Sequence, residues 1–239
     1  MRQHRVLLQP LQEGEALLSG REALHLLQVL RVNVGAKLWV FDGQGYEAEA
    51  EVLEADPLRL RLRVAAPQAS ERELPFRLHI AAALLKGDSL SEVIRHSTEL
   101  GMHRFVPLLS RYCQARSLSD NKHKRWQRIA AEAAKQCGRS VVPEVTTLQN
   151  LRDFQPRGLT IVAHPYASWT LASLQAAQPL SQQEAVTLLI GPEGGFSEEE
   201  IAMLEHHPNC YSVRLGARIL RAETAPLALA AALVLPEAW

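Results

Sequence analysis

Leu188-Leu189-Ile190-Gly191-Pro192-Glu193-Gly194-Gly195-Phe196-Ser197-Glu198-Glu199-Glu200-Ile201 reads as three pieces in a row. The apolar run from Val186 to Ile190 has the character of a buried strand. Gly191, Gly194 and Gly195 then make a loop, and Ser197 stands three residues ahead of Glu200, the capping box that opens a helix. Buried strand, glycine loop and capped helix form the unit of an α/β domain. Ligands in such domains bind beyond the carboxyl ends of the strands, where small residues let the backbone come close. This is no phosphate loop: GK[ST] and GxGxxG are absent, and three glutamates in the first helical turn repel phosphate. The loop suits a ligand held by backbone groups. A tight turn before a well-capped helix is the plain alternative.

The same unit recurs outward from this stretch. On the carboxyl side a strand near Tyr211 to Leu215 runs into Gly216-Ala217-Arg218-Ile219-Leu220-Arg221-Ala222-Glu223, and then a helix from Thr224 to Leu235. Arg221 and Glu223 flank the start of that helix, which is apolar on most sides and so is expected to be packed or to lie at a subunit interface. On the amino side, strands are expected at Leu159 to Ala163, Phe105 to Leu109 and Arg77 to Leu85. A helix follows Arg77 to Leu85, with a capping box from Ser89 to Glu92 and Gly101 at its end. A longer helix, Asp120 to Cys137, buries Trp126, Ile129, Ala130, Ala133 and Cys137 on one face. Arg125, Arg128, Lys135 and Arg139 recur at helical spacing on the other, interrupted by Glu132. Such a stripe is commonly just solvated; contact with an RNA backbone is the sharper reading.

Before about residue 72 the pattern changes to short alternating runs. Leu38 to Phe41 leads into the turn Asp42-Gly43-Gln44-Gly45, and Leu58 to Val64 alternates apolar with basic residues as a half-buried strand does. One helix, Gly20 to Leu30, interrupts them. A small β-rich domain at 1–72 is expected ahead of an α/β domain at 73–239, with Pro67 to Pro75 as the linker.

Of 239 residues, 26 are Lys or Arg and 26 Asp or Glu, so net charge alone points to no partner. Its distribution is uneven: eight basic residues against two acids from Arg111 to Arg139, and six acids with no Lys or Arg from Glu184 to Glu205. Cys113, Cys137 and Cys210 form no CxxC pair, which fits a reducing compartment. His206 and Cys210 lack a second ligand pair at metal-site spacing. The amino end is too short in apolar residues for a secretory signal, and no run spans a bilayer, so the chain reads as cytosolic.

His25-Leu26-Leu27-Gln28-Val29-Leu30-Arg31, Leu84-Leu85-Lys86-Gly87-Asp88, Thr98-Glu99-Leu100-Gly101, Ala131-Glu132-Ala133-Ala134-Lys135-Gln136-Cys137-Gly138-Arg139 and the two glycine loops together resemble the ribosomal RNA small subunit methyltransferase E family. They stand in the family's order from near residue 25 to residue 225. Ala217 and Ala222 depart from the pattern, which has proline and threonine there. The resemblance implies a PUA-like β-barrel followed by a SPOUT α/β domain with a deep trefoil knot, acting as a homodimer. It implies S-adenosylmethionine as cofactor, held by His164 and Pro165, by Ile190, Gly191, Pro192, Glu193, Gly194 and Gly195, and by Leu215, Gly216, Ile219, Leu220 and Arg221. The reaction implied is methyl transfer to N3 of a uridine in 16S ribosomal RNA of the small ribosomal subunit. Arg221 would stabilise or orient the base, and Glu223 and Glu193 are candidates to take its proton. The RNA track would comprise Arg2, Arg5, Arg31, Arg111, Arg125, Arg128, Lys135 and Arg139. A ribose 2′-O-methyltransferase of the same fold and a non-catalytic RNA-binding assembly factor are the rival readings.

Overall fold

The structure is a computed structural model that describes residues 4–235. The chain forms two compact units, Met1–Glu73 with Ala134–Val142, and Leu74–Ala133 with Pro143–Trp239.

The first unit is a sheet of six strands: β1 (Arg5–Leu7), β2 (Gly14–Ser19), β3 (Lys37–Phe41), β4 (Tyr46–Asp56), β5 (Arg59–Val64) and β6 (Gln68–Ala69), in the order β1-β3-β4-β5-β2, with β6 on β4. Pairing is antiparallel except between β1 and β3. The alternation in β5 buries Leu60, Leu62 and Val64 and leaves Arg59, Arg61 and Arg63 in solvent. Helix α1 (Gly20–Leu24) continues as a π-helical turn through Val29, where Leu26 enters the same core. The expected linker contributes β6 to this sheet, so its first residues are paired strand rather than free connection.

Ala134–Val142 is held in this unit by two carboxylates. Glu47 accepts hydrogen bonds from Arg5 Nη2 (2.7 Å), Ser140 Oγ (2.5 Å) and Arg72 Nη1 (3.1 Å). Glu73 accepts from Arg139 Nη2 (2.6 Å) and from the amides of Ser140 (3.2 Å) and Val141 (3.1 Å). The side chains of Arg5, Glu47 and Arg139 are only 9%, 6% and 6% exposed, so these charges need one another to be tolerated there.

The second unit is an α/β layer structure. Its strands are β7 (Arg77–Ala83), β8 (Met102–Leu109), β9 (Glu144–Val145), β10 (Gln149–Asn150), β11 (Leu159–Ala163), β12 (Trp169–Thr170), β13 (Ala185–Ile190) and β14 (Cys210–Arg214). They run parallel in the order β10-β8-β7-β13-β11-β14-β12, with β9 on β8. Both faces of the sheet are covered, which explains the unbroken apolar runs of β7 and β13. On one face Ile80, Leu188 and Ile161 pack with residues of α2 (Ser89–Glu99), α3 (Asp120–Cys137), α4 (Leu171–Ala177) and α6 (Ala225–Val234). On the other, Ala81, Leu189 and Val162 pack with Phe196 and with Leu204 of α5 (Glu198–Glu205).

Trp126 of α3 is fully buried, and its Nε1 donates to Ser91 Oγ at 3.1 Å. Cys137, expected in that buried face, is only half-buried. Helix α2 does not form the expected Ser89–Glu92 capping box. Its N-cap is Asp88, whose Oδ1 receives the Ser91 hydroxyl at 2.6 Å, so Ser89 is already the first helical residue rather than the cap. Among the described residues no helix is long and apolar enough to cross a membrane.

Candidate functional site

Strands β13, β11 and β14 are adjacent and parallel, so the loops that follow them emerge on one edge of the sheet. His164-Pro165-Tyr166 leaves β11, anchored by the His164 amide to Val213 O at 3.0 Å. Gly191 to Phe196 leaves β13 and is closed by a turn in which the Gly195 amide donates to Pro192 O at 2.8 Å. Leu215 to Glu223 leaves β14 and ends where the carbonyl of Arg221 accepts the amides of Thr224 and Ala225, both at 3.0 Å, at the start of α6. Together they enclose a cavity of about 700 Å³.

The cavity brings together His164, Pro165, Ile190 to Gly195, Leu215, Ile219, Leu220, Arg221 and Glu223, all expected from the sequence. Gly216 instead lines a neighbouring cavity of about 910 Å³, with Thr170, Leu171, Ala228 and Ala232. Sequence reasoning missed Tyr166, Phe196, Arg218 and Ser89, which also line the first cavity. Ser89 follows β7, the other neighbour of β13, so the parallel order of the strands carried that signal.

The glycines are explained by geometry. A Cβ at Gly191 would stand 3.1 Å from Gly195 C and from Phe196 N, so the loop folds tightly against itself there. Gly195 has φ +71°, in the left-handed region that side chains disfavour. The walls are mainly apolar and neutral. Ile219 is 72% exposed, an apolar side chain left open at this cavity.

Charges gather at the mouth. Arg221 Nη1 lies 3.7 Å from Glu223 Oε1, and Arg221 is highly exposed. Glu193 Oε1 accepts the backbone amide of Lys86 at 2.8 Å. Helix α5 carries the expected capping box between Ser197 and Glu200. Its acidic first turn is balanced by Arg111, whose amide reaches Glu200 (2.8 Å) and whose guanidinium reaches Glu199 (2.5 Å). The Ser197 hydroxyl and that guanidinium hold the Glu199 carboxyl below the usual carboxylate range. Among the described residues no cluster of three or more His, Cys, Asp or Glu could hold a metal ion.

The proposed RNA track divides. Arg2 lies outside the described residues. Arg31 and Arg128 are exposed, as is Arg111, which pairs with Glu199 at 2.5 Å. Arg125 is half-exposed and pairs with Asp88 at 2.7 Å. Arg5 and Arg139 are a correction: they are buried partners of Glu47 and Glu73, and stripping them for a phosphate would strand those carboxylates. Lys135 is likewise largely buried, 2.8 Å from Glu22. Helical spacing put Lys135 and Arg139 on one face but could not say that Glu22 of α1 and Glu73 ahead of β7 already occupy them.

The matches to known proteins agree with this architecture. A family model described as an RNA methyltransferase domain matches residues 72–234, and one described as an RNA methyltransferase PUA domain matches residues 18–65. The chain is 34% identical to the ribosomal RNA small subunit methyltransferase E of Bacillus subtilis, over 88% of this chain and 86% of that protein. It is 35% identical to the Synechocystis protein of that name, over 93% and 74%. The fold is similar to that of a methyltransferase from Legionella pneumophila in complex with the bound cofactor SAM (TM-score 0.86, 31% identity, 99% and 98% of the two chains). It is also similar to a ribosomal RNA small subunit methyltransferase E from Neisseria gonorrhoeae bound to S-adenosyl methionine (TM-score 0.86, 28% identity, 97% and 96%).

Proposed function

The chain belongs to the ribosomal RNA small subunit methyltransferase E family, and from that premise we propose that its three-loop cavity holds S-adenosylmethionine for methyl transfer to N3 of a uridine in 16S ribosomal RNA. The observation that carries this reading is the convergence of the loops after β11, β13 and β14 on one cavity with Arg221 and Glu223 at its mouth. A volume of about 700 Å³ is in the range of small-molecule sites. Ile190, Leu215, Ile219 and Leu220 offer the apolar contact an adenine needs, and the tight Gly191–Phe196 turn brings backbone within reach of its polar edge.

When bound, the cofactor supplies an electrophilic methyl on a sulfonium, so the protein's own work is alignment and charge. Arg221, exposed and held only loosely by Glu223, is free to turn toward a uracil whose N3 proton is leaving and to stabilise the anion. Glu223, on the same loop, is the residue we assign to accept that proton. N3 is on the pairing edge, so the target must be unpaired or flipped. A homodimer and a cytosolic setting complete the proposal; the second cavity, with Leu171, Ile219 and Ala232 on its wall, is the apolar surface a second copy would cover.

The test is direct. Calorimetric titration with S-adenosylmethionine should show saturable binding, and digestion of 16S RNA methylated by the protein should yield 3-methyluridine. A ribose-methylated product would move the chain to the 2′-O-methyl class. Arg221→Ala should lower kcat about a hundredfold while cofactor binding persists; turnover unchanged at saturating RNA would remove Arg221 from the mechanism.

A further inference from the structure

Lys86-Gly87-Asp88 takes no part in the chemistry assigned to the cavity. The structure places it on the loop between β7 and α2, next to the cavity that Ser89 lines. Four contacts fix this loop. On the cavity side Glu193 Oε1 accepts the Lys86 amide at 2.8 Å. On the α3 side Lys122 Nζ donates to Gly87 O at 2.8 Å and Arg125 Nη2 to Asp88 Oδ2 at 2.7 Å. The Ser91 hydroxyl takes the other oxygen of Asp88 at 2.6 Å. Gly87 sits at φ +71°, a backbone turn that a side chain would oppose.

The Lys86 backbone is clamped, its side chain is exposed, and its ammonium has no hydrogen-bond or ion-pair partner among the described residues. The charges around it are Lys86, Lys122 and Arg125 against Asp88 and Glu193, three cations to two carboxylates. Arg125 is paired with Asp88, Lys122 meets the neutral carbonyl of Gly87 and Glu193 a neutral amide, so no carboxylate neutralises the Lys86 ammonium. Ser89 lines the cavity and Lys86 does not, so the Lys86 side chain is no part of the wall assigned to the cofactor.

We infer that Glu193 is a positioning residue, not a proton acceptor: it holds the Lys86–Asp88 loop against the cofactor loop so that the Lys86 ammonium meets an RNA phosphate beside the target nucleotide. This rests on the assignment of the cavity to methyl transfer. A carboxylate serves the purpose because a neutral backbone amide needs only an oxygen acceptor. Glutamine at 193 therefore supplies the same contact, whereas it could not take a proton.

Two measurements decide it: RNA binding across a salt series, and steady-state methylation of 16S RNA in small subunits, with S-adenosylmethionine affinity taken separately by calorimetry. Lys86→Ala should raise the KM for RNA about fivefold, leave kcat within about twofold, and reduce the logarithmic salt slope by about 0.7–0.9, the release expected for one phosphate contact. Cofactor affinity should not change. Glu193→Ala should raise the KM for RNA as Lys86→Ala does, and Glu193→Gln should bring that KM back toward the wild-type value. An unchanged salt slope in Lys86→Ala overturns the phosphate contact. Weakened cofactor binding in that variant overturns it too, since the ammonium would then face the methionine carboxylate. A KM for RNA in Glu193→Gln as high as in Glu193→Ala would end the positioning role, and loss of kcat at saturating cofactor with unchanged cofactor affinity would make Glu193 the base. The salt series needs no methyl transfer, so failure of the wild-type protein to methylate would count against the reading of the cavity while the salt slope still decides whether Lys86 meets a phosphate.

Discussion

Replacing Gly191 by alanine adds one methyl group at the point where the cofactor loop folds back on itself. The new Cβ would lie 3.1 Å from Gly195 C, 3.1 Å from Phe196 N and 3.2 Å from Gly195 Cα. Comfortable contact begins at about 3.5 Å, so the two limbs of the loop must separate by about 0.4 Å. Neither limb yields easily. The Gly195 limb is closed by the 2.8 Å hydrogen bond to Pro192 O, and Phe196 is packed against Leu189 and Leu204 in the core. Overpacking of this kind costs about 1–3 kcal/mol. Borne by the loop as cavity geometry, that is a loss of about 5- to 150-fold in affinity for S-adenosylmethionine. Borne by the fold, it is a fall in Tm of about 2–4 °C per kcal/mol. Calorimetry and thermal unfolding on the same preparation read both, and together they must account for at least about 1 kcal/mol. A variant with wild-type affinity and wild-type Tm would refute the tight-loop argument, and with it the account of why this glycine stands here.

Other perturbations follow from the same structure. Glu47→Ala leaves Arg5 buried without its carboxylate and should cost about 3–5 kcal/mol in urea unfolding, most of it recovered when Arg5→Met is added; a neutral single variant would show that the network is not structural. Burial pushes the Glu47 carboxyl up, but hydrogen bonds from Ser140 and Arg5 and the charges of Arg5 and Arg72 outweigh it and hold it below 4.5. Its folded-state value being depressed, this stabilisation is present above pH 4.5 and lost as pH falls through the folded value, so the wild type should lose more stability on acidification than Glu47→Ala. Gly158→Ala would set a Cβ 2.0 Å from Ala185 O at φ +66°, and should lower Tm by more than about 6 °C or prevent folding; a stable variant would mean that the β11–β13 pairing is not as described. Burial, with help from Glu205, pushes the Cys210 thiol up to about 12, so it should resist iodoacetamide at pH 8 in the native protein and react on denaturation. Rapid native labelling at Cys210 would contradict its place in the core.

Local chemistry determined much of this protein. The apolar run of β13, the Ser197–Glu200 box and the alternation in β5 are short-range patterns, and each produced its element because propensity, capping and burial agree there. That the two glycine loops leave the same edge of the sheet follows for the same reason, since a parallel sheet puts the ends of its strands together. Long-range pairing decided the rest. That Arg5, Lys135 and Arg139 serve Glu47, Glu22 and Glu73 rather than an open basic face depends on carboxylates 42, 113 and 66 residues away. Glu193 meets Lys86 across 107 residues, and Asp88, the N-cap of α2, pairs with Arg125 of α3 at 2.7 Å across 37. Spacing along a chain states which face a charge occupies; only the packed structure states which opposite charge has already reached it, because electrostatic pairing is settled by distance in space.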